Sequence, residues 1–127
     1  MTMSTRQRRE FKHLLATIVI NTCESAPIDL REFHTMQVHI PAGWTAAALG
    51  IKVSPVEDTV FKPLYVRPCR LTTPIIRPEI CSVSANTAYQ FPLEIGGSGF
   101  IRLWSNDGAG VDENQTAERV IGVSLKG

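Results

Sequence analysis

Eight prolines and nine glycines are spread through this 127-residue chain, and no long helical stretch survives them. Proline lacks the backbone N–H and fixes φ, so it ends helices and is confined to sheet edges. Between these interruptions lie about seven or eight short stretches with the period-two alternation of half-buried strands. Residues 14–20 are rich in β-branched side chains. In 33–40, His34, Met36, Val38 and Ile40 share one face, with Thr35, Gln37 and His39 on the other. Pro41-Ala42-Gly43 ends that stretch. In 46–54, Leu49, Ile51 and Val53 alternate with Gly50, Lys52 and Ser54, which favours a strand over the helix its alanines would allow. A strand over 59–66 contains Pro63, which implies an edge, a bulge or a break.

Residues 67–82 carry Pro68, Pro74 and Pro78 and read as a loop with short extended pieces. A strand over 87–95 is interrupted by Pro92, and Gly96-Gly97-Ser98-Gly99 reads as a turn. In 100–105, Phe100, Arg102 and Trp104 stand opposite Ile101, Leu103 and Ser105. Asn106-Asp107-Gly108-Ala109-Gly110 is a strong turn signal. In 119–125, Val120, Gly122 and Ser124 alternate with Ile121, Val123 and Leu125. The pattern predicts an all-β antiparallel sandwich, and jelly-roll and immunoglobulin-like topologies both satisfy it. The Cys…Trp…Cys spacing of an antibody-type domain is missing.

The length fits one domain, and 43% apolar with 20% charged residues speaks against wholesale disorder. No apolar run is long enough for a membrane helix, and the basic N-terminus lacks the apolar core of a signal peptide. The formal charge of +1 hides a division. Arg6, Arg8, Arg9 and Lys12 against Glu10 make residues 1–13 a basic arm of net +3, leaving net −2 on a sandwich domain over 14–127. The arm is expected to be extended or to form a short helical turn. So balanced a chain is not expected to bind nucleic acid, which calls for a strongly basic face.

The search for chemistry predicts no catalysis, no cofactor and no metal. Cys23, Cys69 and Cys81 fit neither a zinc motif nor a disulfide framework, a single Cys69–Cys81 bridge being the main exception. His34 and His39 fall on opposite faces of one strand and cannot chelate together. Asp107, Asp112, Glu113 and Asn114 share a loop but miss the calcium-loop pattern. The glycines of 96–99 join two strands, so they lack the helix N-terminus that cradles phosphate. Trp44, Tyr65, Tyr89 and Trp104 are the candidates for a glycan-stacking or partner-facing platform, with core packing as the competing role.

Ile40-Pro41-Ala42-Gly43-Trp44-Thr45-Ala46-Ala47-Ala48-Leu49-Gly50-Ile51-Lys52-Val53-Ser54 resembles the P-A-x-W-T-A-A-x-L-x-F-x-x-S segment of small β-sandwich proteins from tailed-phage structural gene clusters. Phe100-Ile101-Arg102-Leu103-Trp104-Ser105 is similar to their R-x-I-K-L-R-S strand. Asn114-Gln115-Thr116-Ala117-Glu118-Arg119-Val120-Ile121 is similar to their N-Q-x-A-x-R-x-I closing segment. The chain departs after Ser54, where Pro55-Val56-Glu57-Asp58 replaces an Asp-Gly-Gly turn.

The resemblance implies a virion structural protein made in the bacterial host's cytoplasm, a head decoration or cement protein without enzyme activity. A tail or spike module that binds carbohydrate or a receptor is the alternative. It implies the major capsid protein or other virion proteins as partners, self-association with a trimer favoured, and no membrane. In that role Arg6, Arg8, Arg9 and Lys12 meet an acidic capsid surface, and Phe11 and Leu14 anchor the arm. Residues 114–119 are expected to tie the last strand to the Trp44 turn by hydrogen bonds, as a structural feature.

Overall fold

The computed structural model describes residues 11–57, 60–64, 79–81, 83–91 and 99–127. Among them are eight strands and no helix: β1 (Phe11–Ile18), β2 (Ile28–Asp29), β3 (Thr35–His39), β4 (Ala48–Ser54), β5 (Lys62–Pro63), β6 (Ala88–Gln90), β7 (Phe100–Asn106) and β8 (Arg119–Lys126). They form two four-stranded antiparallel sheets, ordered β1-β8-β3-β6 and β2-β7-β4-β5.

The pairing is nested. β1 pairs with β8, β2 with β7, β3 with β6 and β4 with β5. Successive pairs alternate between the two sheets. The β3–β8 and β4–β7 ladders complete the sheets.

Alternation builds the core. Met36 and Val38 of β3 and Ile121, Val123 and Leu125 of β8 point inward from the first sheet. Leu49 and Ile51 of β4 and Ile101 and Leu103 of β7 meet them from the second. Each such side chain contributes roughly 1.5–3 kcal/mol through burial. Thus the two sheets share a single apolar core.

The differences from the sequence reading have local causes. β1 starts at Phe11 rather than at 14, because Phe11, Lys12 and His13 find partners in Lys126, Leu125 and Ser124. Three residues assigned to the arm are therefore in the sheet. β2 was not expected, since two residues between Pro27 and Leu30 show no alternation. Pro63 does stand on an edge strand, opposite Lys52, where its missing N–H costs no ladder bond. Within the proline-rich stretch, Ile80 exchanges two backbone hydrogen bonds with Leu49, at 3.0 and 2.9 Å, and extends the cover along β4.

Candidate functional site

Three places concentrate side-chain chemistry. The first is the turn before β4. Gln115 is fully buried and its amide serves several groups. Its Oε1 accepts from the Thr45 backbone N–H at 2.9 Å and from Arg119 Nε at 3.1 Å. Its Nε2 donates to Ser105 Oγ at 3.0 Å and to the Thr45 carbonyl at 3.4 Å. Arg119 Nη2 also reaches Thr45 Oγ1 at 3.2 Å. Residues 114–119 thus do tie the last strand to the Trp44 turn. Gly43 has φ 75°, a left-handed conformation that favours glycine, and a Cβ there would sit 3.0 Å from Arg119 Nη1 and press on its guanidinium. All of this is structural, since the polar atoms satisfy one another.

The second place is the outer face of the second sheet. Lys52 Nζ lies 2.6 Å from Glu24 Oε2, 3.5 Å from Asp112 Oδ1 and 4.9 Å from the centroid of the Trp104 ring. Trp104 Nε1 donates to Asp112 Oδ1 at 2.8 Å. Burial pulls the Lys52 pKa down, but the Glu24 bond and the charges of Glu24 and Asp112 outweigh it and hold it above the usual value. The Trp104 indole bond comes first among the causes that hold the Asp112 carboxyl below the ordinary range. Arg31 covers the Phe100 ring at 4.8 Å and Arg102 covers Phe61 at 4.7 Å. Cations therefore cap the aromatics on this face, which stabilises them and closes them to a stacking ligand.

Cys23 sits in the same cluster. Burial pushes its thiol up to about 11, with help from the Asp112 and Glu24 charges. That is the opposite of an activated nucleophile, which needs a lowered pKa. The rise from 9.0 leaves about a hundredfold less thiolate near pH 8. Native-state alkylation followed by mass spectrometry should therefore label exposed Cys81 well before buried Cys23. The same shift links to stability. A thiol whose folded pKa is raised stabilises the fold fully below the unfolded pKa near 9, and that contribution is lost as pH climbs towards 11. A Cys23→Ala variant should lose this alkaline slope.

The third place is the outer face of β1. Phe11 is 63% exposed, Leu15 72% and Val19 52%, and Val120 of the neighbouring β8 is 40% exposed. Thr17 pairs with Val120 and Leu15 with Gly122, so the apolar side chains stand beside one another across two strands. A polar row crosses the same face. His13 Nδ1 lies 2.9 Å from Ser124 Oγ, and Ser124, Gln37 and Gln90 follow in register across β8, β3 and β6. Beside β1 an open groove of about 780 Å³ runs between the strand and residues 22–29, with Leu15, Glu24, Asp29 and Glu57 among its lining.

The expected site residues distribute unevenly over these places. Arg6, Arg8, Arg9 and Tyr65 lie outside the described residues, as does Cys69. Phe11 and Lys12 are exposed on β1, and Leu14 packs half-buried against the core. Trp44 is not a platform. It is 8% exposed and part of the core, where its indole N–H donates to the Ala47 carbonyl at 3.3 Å. Tyr89 is half-buried against the core, and its hydroxyl accepts from the Ser84 N–H at 2.9 Å. Trp104 is 1% exposed. Among the described residues, no group of three or more His, Cys, Asp or Glu is placed to hold a metal ion. Asp107 Oδ1 instead accepts the Ala109 and Val111 backbone N–H groups of its own loop. Sequence reasoning missed Leu15 and Val120 as exposed residues. Their signal was apolar side chains on both faces of one strand, as in the Leu14-Leu15 pair.

No protein-family model matches the chain, and neither does any curated protein sequence. Among solved structures, the SPBc2 prophage-derived protein YomS is similar over 95% of this chain and 96% of that one, with a TM-score of 0.58 and 10% identity. The similarity to YomS is one of fold.

Proposed function

We propose that this chain is a non-catalytic structural component of a tailed-phage particle, a decoration protein that binds the head lattice. The observation that carries this reading is the exposed apolar strand. Phe11 and Leu15, with Val120 beside them, form a row that burial against a partner would stabilise. The nested strand order supports it, since a hairpin rolled into two four-stranded sheets is the jelly-roll arrangement used by viral capsid and lectin domains. The fold it shares with a prophage-derived protein supports the phage setting. So does the resemblance of 40–54, 100–105 and 114–121 to phage sandwich proteins, for those are the segments that build the Trp44 turn and its Gln115 tie.

On this reading the major capsid protein and further copies of the chain are the partners. Arg6, Arg8, Arg9 and Lys12 provide the charge that meets an acidic lattice. The chain is made in the bacterial host and ends in the virion. A tail or spike module that binds glycan is the second reading, and the row of His13, Ser124, Gln37 and Gln90 beside Phe11 favours it. The two are separated by whether the chain is found in purified particles at the copy number of a head component.

A further inference from the structure

The four strands of the first sheet contain Lys12, His13, His39, Arg119 and Lys126 and no Asp or Glu. Beside the second sheet the cations are matched, Lys52 by Glu24 and Asp112 and Arg31 by Asp29. Among the described residues no carboxylate lies within ion-pair distance of Lys126. Its ammonium stands instead 5.7 Å from the centroid of the Phe11 ring. That ring differs from those of the second sheet. Phe100 and Trp104 are buried under their cations, whereas Phe11 keeps 63% of its surface exposed.

Phe11, Lys126 and Thr35 are neighbours across β1, β8 and β3. The next row on the same face is His13, Ser124, Gln37 and Gln90. Together the two rows line an open depression of about 350 Å³ whose lining holds no acid. The longer row crosses four strands, about 14 Å at the usual spacing of roughly 4.8 Å. Two of its side chains are already fixed. His13 Nδ1 lies 2.9 Å from Ser124 Oγ, and Gln90 Nε2 donates to the Met36 carbonyl at 3.3 Å. A ligand therefore meets polar groups whose ordering is partly done, which lowers the cost of binding.

We infer that this strip binds an acidic glycan, a sugar chain bearing carboxylate or phosphate groups. A sugar ring packs its C–H face on Phe11, Lys126 and His13 meet the acidic group, and Gln37, Gln90 and Ser124 serve the hydroxyls. The two amides offer both donors and acceptors, which hydroxyls match and a bare charge does not use. A depression of this volume has the size of a small-ligand site, where a protein partner calls for about 800 Å² a side. Nucleic acid calls for a broader basic face than one lysine beside histidines. The inference rests on the glycan-binding reading, the second of the two above, and assigns its ligand a charge. Leu15 and Val120 lie beyond His13 on the same face and are left to a protein partner.

The test is isothermal titration of the full chain at low salt, with polygalacturonate and alginate as acidic probes and dextran as the neutral one. Both acidic polysaccharides should bind about tenfold more tightly than dextran, and added salt should weaken them. Phe11→Ala and Lys126→Gln should each weaken this binding about tenfold, and Gln37→Ala about fivefold. Val56→Lys, which alters an exposed apolar side chain elsewhere, should leave it unchanged. Urea unfolding of each variant checks that the fold is kept, since all these side chains stand outside the core. Failure to bind either acidic polysaccharide at millimolar concentration would overturn the inference, as would binding that tolerates both Phe11→Ala and Lys126→Gln. Equal binding of polyglutamate or single-stranded DNA would overturn it too, by showing a surface that reads charge alone. Dextran binding as tightly as the acidic probes, and weakened by Phe11→Ala, would remove the acidic preference and leave the glycan-binding reading standing.

Discussion

Replacing Gln115 with alanine lowers the unfolding free energy by about 3 kcal/mol, measured by urea denaturation with an unchanged slope. The side chain is fully buried and joins three segments through one amide. Removing it leaves the Thr45 N–H and the buried Ser105 hydroxyl without these partners. An unmatched buried donor or acceptor costs about 1–3 kcal/mol, more than a typical hydrogen bond contributes when made. Arg119 also loses the acceptor that steadies it over Gly43. Arg119→Ala should cost less, about 1 kcal/mol, because its guanidinium is only partly buried and water can replace it. A loss below 1 kcal/mol for Gln115→Ala would mean that the tie does not hold the turn.

Replacing Trp104 with alanine costs about 4 kcal/mol, the range expected when a large buried ring leaves a cavity. Trp104→Phe should cost about half of that, because most of the ring volume under Lys52 is kept while the bond to Asp112 is lost. A second readout separates the bond from the packing. The Asp112 carboxyl is held below its ordinary value, first by the Trp104 N–H and then by Lys52. A lowered folded pKa gives stability that is present above the unfolded value near 3.8 and is lost as pH falls through the folded one. Trp104→Phe should therefore flatten the acid limb of the stability profile, and an unchanged acid limb would show that the indole bond has no weight.

Four strands were legible from alternation alone. β4 and β8 each carry three apolar residues at period two and β3 and β7 carry two, the pattern of a half-buried strand. The ends of β4 and β7 moved by a residue or two, which alternation does not fix. The two-residue strand β2 was not legible, because so short a segment has no period and depends on its neighbours, whereas β5 falls inside the strand expected over 59–66. The nested order was not legible either. β1 and β8 lie at opposite ends of the chain, and nothing local to Leu14 reports that Val123 is its partner.

The candidate surfaces divide in the same way. The Gln115 tie was readable because its residues lie in three short segments with recognisable order. For Trp104 the sequence left platform and core both open, since the Glu24, Lys52 and Asp112 that cover it come from three separate segments. The exposed side of β1 was the least legible. An apolar residue on a strand is read as core unless the sheet's edge is known, and Leu15 became informative only once β1 was placed at that edge.

The most direct measurement is quantitative mass spectrometry of phage particles purified from cells that carry the gene for this chain. A lattice-bound decoration protein should be present at a fixed, simple ratio to the major capsid protein, and should remain with full heads when tails are removed. Finding the chain in the lysate but absent from purified particles would contradict a structural role. Finding it only in the tail fraction, at a few copies per particle, would contradict the head-decoration reading.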